Sequence, residues 1–153
     1  MSALQDECVG GFVWQWNNNP GSCMNALADV ASGNDEALWE LSKGQKHNPH
    51  AQEIYSIGYK TFGSDQFWRM LIAAPNNPSD FGAAKFNLDW QWANNASSIS
   101  DAAQSWAKND YFGAVFLVLL GQRHNTGVMN LYRACITADS AQFFKIVQSY
   151  VAP

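Results

Sequence analysis

His47 and His124 are the side chains of this sequence best suited to proton transfer near neutral pH, and each lies in a near-identical string, GQKHN at 44–48 and GQRHN at 121–125. A cation precedes each imidazole: Lys46 beside His47, Arg123 beside His124. Cationic side chains next to the free N–H groups of a following helix are the ingredients of an anion site, and a hydrolase could use either His as its base. The string also has a purely architectural reading. Gly44 and Gly121 fall where a helix would stop in the left-handed conformation that glycine adopts cheaply. Asn48 and Asn125 fall where an Asn side chain caps the next helix. Capping accounts for both ends of the string, so these four are expected to be turn residues, with the two glycines at positive φ.

Other chemistries find less support. His47, His50 and His124 could offer three imidazoles to zinc, but Gly127 stands where a second copy of His50 would be, and no HExxH or Cys/His spacing is present. No metal and no cofactor is expected. Cys8, Cys23 and Cys135 are an odd number without CxxC spacing, the pattern of reduced thiols rather than of a disulfide framework. Neither a GxSxG elbow nor a GxxxxGK[ST] phosphate loop occurs.

The tryptophans carry more information. WQW occurs at 14–16 and again at 90–92, and two rings spaced i, i+2 are separated by about 200° around a helix, so both cannot face one core. One ring of each pair is expected to pack inward and the other to face the second unit, a ligand or a partner chain, with the contact between units favoured by the repetition of the motif. Trp14, Trp16, Trp90 and Trp92 are therefore candidate binding residues, together with Lys46, His47, Arg123 and His124. Trp faces also stack well on sugars, with Asn and Gln to meet hydroxyls.

Composition narrows the partners. The chain has 153 residues, a net charge of −4 and only 14% charged residues, against roughly 25% in an ordinary globular protein, while 14% are aromatic. Nine basic residues without a cluster give no footprint for nucleic acid or an anionic membrane surface. The most apolar run, YFGAVFLVLL at 111–120, is about half the length of a bilayer span and reads as a buried core helix, although a buried strand has the same pattern. The opening MSALQDECVGG carries Asp6 and Glu7 where a secretory leader has a basic region and an apolar run, so a cytoplasmic location is expected, with leaderless export left open.

The elements that position these residues read as helices throughout. Ser2 is expected to cap a helix to about Trp16, Ser22 to open one that Gly33 stops, and Asn34 to cap one ending at Lys43. Pro49 and Ser64 are expected to begin the fourth and fifth. Five more follow at about 80–93, 99–107, 110–120, 126–137 and 140–150, capped by Ser79, Ser98, Asn109, Asn125 and Asp139. The two halves align: WQW recurs after 76 residues, Asn34-Asp35 recurs as Asn109-Asp110 after 75, the GQ[KR]HN string and Tyr55/Tyr132 after 77, and Gln66-Phe67 recurs as Gln142-Phe143 after 76. The fold expected is all-α, one domain over 1–153, a compact bundle of about ten short helices built from tandem repeats 1–76 and 77–153 with pseudo-twofold symmetry. Low charge with many aromatic and small polar residues suits surfaces that meet proteins. The function expected first is a protein-interaction module of the adaptor, chaperone, inhibitor or immunity type, binding a protein partner or itself. A carbohydrate or small-ligand module comes second and a hydrolase using His47 or His124 third.

Overall fold

Helix-capping chemistry accounts for most element boundaries in the computed structural model, which describes residues 2–151. Among these residues there are nine helices and no strand: α1 (Ala3–Asn18), α2 (Pro20–Ser32), α3 (Ala37–Lys43), α4 (Pro49–Phe62), α5 (Ser64–Ala73), α6 (Phe81–Asn94), α7 (Ala96–Ala107), α8 (Tyr111–Leu120) and α9 (Thr126–Val151). Ser2 forms a capping box with Gln5, Pro49 is the first residue of α4, and Gly33 ends α2 at φ 75. Asn48 Oδ1 accepts from Ala51 N, and Asn125 Oδ1 accepts from Val128 N, each at 3.2 Å, so both Asn residues cap as expected.

Several expected boundaries differ. The last two expected elements run on as α9 but are interrupted at the non-helical Asp139 (φ −161, ψ 87), whose side chain accepts from Gln142 N at 3.0 Å and so caps the second segment as expected. Aspartates take the places expected for Ser79 and Asn109: Asp80 caps α6 and Asp110 caps α8. Asn109 itself is left-handed, at φ 63. Asn34 accepts from Glu36 N, a turn before α3 rather than its cap. No side chain caps α5, whose first residue is Ser64. Ser22 and Ser98 lie inside α2 and α7, because their hydroxyls serve a different purpose, described next.

The chain divides into two compact units, Met1–Pro75 and Asn76–Pro153. In the first, Gln15 is fully buried on α1. Its amide nitrogen donates to the Leu41 carbonyl at 2.7 Å and to the Ser22 hydroxyl, and its amide oxygen accepts from the Tyr55 hydroxyl at 2.8 Å. Gln45 Nε2 donates to the same hydroxyl at 3.2 Å, and Ser22 donates to the Asn19 carbonyl at 3.0 Å. The second unit repeats these bonds with the same residue types at the side-chain positions. Gln91 Nε2 donates to Ser98 (2.8 Å) and to the Val118 carbonyl (2.9 Å), Tyr132 donates to Gln91 Oε1 (2.9 Å), Gln122 donates to Tyr132 (3.4 Å), and Ser98 donates to the Asn95 carbonyl (3.0 Å).

This network corrects the reading of the repeated glycines. Gly44 and Gly121 are right-handed, at φ −66, ψ −13 and φ −66, ψ −12, so neither is a left-handed stop. A Cβ on Gly44 would collide with Gln15 Nε2 and Ser22 Oγ, and one on Gly121 with Gln91 Nε2 and Ser98 Oγ. Glycine is needed there because a buried amide lies against the backbone, not because of φ. Apolar packing surrounds each network. In the first unit Phe12 stacks on Tyr55 at 5.2 Å and meets Phe67 edge-on at 5.2 Å, while Trp16 is buried and donates to the Leu71 carbonyl at 2.8 Å. In the second, α8 buries Val115, Val118 and Leu119 as a helix, which decides the ambiguity of its apolar run, and Trp106 stacks on Phe144 at 4.5 Å.

Two outcomes follow from the networks. Gly44→Ala and Gly121→Ala should each destabilise by about 1–3 kcal/mol through overpacking, measured as a lower urea midpoint at unchanged slope; parent-like midpoints would remove the close approach as the reason for glycine. Burial also holds the Tyr55 and Tyr132 hydroxyls well above the ordinary phenol range. The folded state therefore keeps protons that the unfolded chain releases above about pH 10, so this contribution is full below that pH and is lost as pH rises. In an alkaline titration part of the tyrosinate absorbance should appear only together with loss of helical circular dichroism, and Tyr55→Phe should remove part of that coincident fraction.

Candidate functional site

The repeated turns bring some of the candidate residues together and separate others. In the first unit the turn after α3 stands beside α1, and the two enclose an open groove of about 720 Å³. One wall is a single face of α1: Glu7, Gly10, Gly11, Trp14 and Asn18, spaced so that they run along about 16 Å of helix. The opposite wall is the turn Lys43–Asn48, followed by His50, Ala51 and Ile54 of α4. Gly11 makes the walls meet, since a Cβ there would press on the Tyr55 ring at 2.9 Å, while Gly10 faces open space. Trp14, 48% exposed, stands over this glycine floor, and Lys46 and His47 are exposed at the rim.

Trp14, Lys46 and His47 thus share one groove, as do the turn residues Gly44 and Asn48. Trp16 does not; it is fully buried, which suits the inward ring of its pair and removes it from any surface site. In the second unit Trp90 is 52% exposed, and Trp92 stacks on Tyr150 at 5.8 Å. Arg123 Nε donates to His124 Nε2 at 3.2 Å, in the exposed turn after α8.

Sequence reasoning missed several residues that matter. Gly10 and Gly11 create the groove floor, and Phe86 is the most exposed of the large apolar side chains at 75%. Phe86 and Asn87 stand 76 residues after Gly10 and Gly11, so comparing the halves for differences rather than identities would have found both. Gln15, Ser22 and Tyr55 were visible as matched positions, without a sign that they bond to one another.

Catalytic geometry is sparse. The imidazole beside a carboxylate is that of His50, whose Nε2 lies 3.7 Å from Glu7 Oε2 across the groove, rather than that of His47 or His124. Among the described residues no three His, Cys, Asp or Glu side chains are grouped to hold a metal ion. Burial, with the Glu7 charge adding to it, pushes the Cys8 thiol up to about 11, and burial also raises that of Cys135. Neither presents a thiolate nucleophile near neutral pH. No helix among the described residues is long and apolar enough to cross a membrane.

The chain matches no family model, no curated protein and no solved structure.

The cysteine environments give a direct check. Cys8, Cys23 and Cys135 are all buried. At pH 8 the folded protein should react with a chromogenic disulfide reagent far more slowly than the urea-unfolded chain, which should titrate three thiols at once. Fast stoichiometric reaction of one thiol in the folded protein would point to an activated cysteine instead.

Proposed function

We propose that this chain is a protein-interaction module of the adaptor, chaperone, inhibitor or immunity type, built by tandem duplication, whose working surface includes the outer face of α6. One observation carries the reading. Phe86 and Trp90, one helical turn apart, are 75% and 52% exposed, and the exposed residues in line with them, Gly82, Ala93 and Asn94, are uncharged. Two exposed rings one turn apart are costly to leave in water, and aromatic anchors of this kind dominate binding energy at interface centres. The neighbouring charges are already engaged: Lys85 pairs with Asp89 at 2.5 Å, and Tyr150 donates to Asp89. They border the rings without competing for them.

Duplication is supported by the two hydrogen-bond networks, which use the same side-chain types in the same chain order. A cytoplasmic setting is supported by the buried cysteines. The sugar or small-ligand reading would rest on the first-unit groove, where Trp14 stands beside Asn18 and Gln45. Small ligands are usually held in pockets that cover most of their surface, and this groove is only partly enclosed. The hydrolase reading lacks a carboxylate beside His47 or His124.

The test uses a Phe86→Ser/Trp90→Ser double variant, which should fold with stability within about 0.5 kcal/mol per exposed site of the parent. Sedimentation velocity across a concentration series should show association of the parent with itself or with a purified partner, and the double variant should lose it. A parent that stays monomeric, and that recovers the same proteins from host extract as the double variant, would sink the assignment.

A further inference from the structure

We propose that the first-unit groove along α1 receives an acidic, extended peptide segment of a partner protein, with one apolar side chain seated on Gly10 beside Trp14. This site is separate from the α6 face and does not rest on it.

The charge distribution points to the ligand. Residues 1–75 contain eight Asp or Glu and four Lys or Arg, yet two of those four cations, Lys43 and Lys46, line the groove, with His47 and His50 beside them and Glu7 as the one carboxylate. Two lysines are thus placed on one wall of an otherwise acidic unit. Glu40 lies 3.3 Å from Lys43, and Lys43 also sits 4.0 Å over the Trp39 ring, so Lys46 is the cation better placed to meet a ligand carboxylate. Shape narrows the class further. The α1 wall extends about 16 Å, the reach of roughly five extended residues, and the groove is open rather than enclosed. Gly10 leaves free space where any side chain would stand, and the exposed face of Trp14 rises beside it. An apolar side chain fits that hollow while flanking carboxylates face Lys46 and His47. Glu7, the one carboxylate of the lining, lies 3.7 Å from His50 Nε2.

The probe is a fluorescein-labelled, capped pentapeptide of sequence Glu-Asp-Phe-Asp-Glu, followed by fluorescence polarisation against the full chain at low salt. Binding should be about tenfold or more tighter than that of the neutral Gln-Asn-Phe-Asn-Gln peptide, and should weaken steeply as salt is raised. Gly10→Leu fills the hollow with a better helix former and no Cβ clash, so it should keep the parent's circular dichroism melt and abolish binding. Lys46→Glu should weaken binding about tenfold or more, and Phe86→Ser/Trp90→Ser should leave it unchanged. Equal binding of the acidic and neutral peptides, parent-like affinity in folded Gly10→Leu or Lys46→Glu, or loss of binding in the α6 variant would overturn the proposal. Displacement of the peptide by acetylglutamate or a neutral hexasaccharide at matching concentration would overturn it in favour of a small ligand.

Discussion

A buried glutamine side chain with both ends of its amide hydrogen-bonded inside the protein is the constraint on which each unit depends. An amide taken out of water without partners costs about 1–3 kcal/mol by protein measurements, so burying Gln15 obliges the fold to deliver an acceptor at each N–H and a donor at the oxygen. Leu41 supplies a carbonyl from the end of α3, Ser22 a hydroxyl from α2 and Tyr55 a hydroxyl from α4. Three helices, α2, α3 and α4, are thereby tied to one side chain of α1. The backbone at Gly44 must lie against that amide, and this fixes where the turn after α3 runs. Since the turn is also a wall of the groove, the rim positions of Lys46 and His47 are set by a residue that never reaches the surface.

Much of this was legible in the sequence in outline and little of it in mechanism. Helical periodicity and caps such as Ser2, Asn48 and Asn125 fix the class, because those signals are local. The matches at offsets of 75 to 77 mark the residues of both networks, including Gln15, Tyr55 and Gln45. Their bonding was hidden because those residues are 10 to 40 apart in the chain, and capping rules assign a glycine at a helix end to positive φ without weighing a side chain arriving from another helix. Ser22 was mistaken for a cap for the same reason: its hydroxyl was already committed to Gln15. The i, i+2 spacing of WQW separates its rings by helix geometry alone: Trp16 is buried and Trp14 exposed, while in the second copy Trp90 is exposed and Trp92 half-buried.

The surfaces follow a different rule from the interior. Cys8 and Ala84, Phe12 and Leu88, and Cys23 and Ile99 stand 76 residues apart and are all fully buried, so the interior keeps its apolar character while its side chains change. On the outer faces of α1 and α6 the same spacing relates Gly10 to Phe86, open space on one and a protruding ring on the other. Trp14 and Trp90 are nearly equal in exposure, so the difference between the two faces comes from the residue one turn earlier rather than from the tryptophan.

Each glutamine network closes within its own unit: every donor and acceptor of the Gln15 set lies before residue 76, and every one of the Gln91 set after it. Breaking one set orphans no polar atom of the other. The polar interior therefore supplies two separate centres of cooperativity, and a single midpoint temperature describes this chain only when both centres are lost together. The chain's resistance to heat is in that sense a property with two parts, each with its own glutamine at the middle.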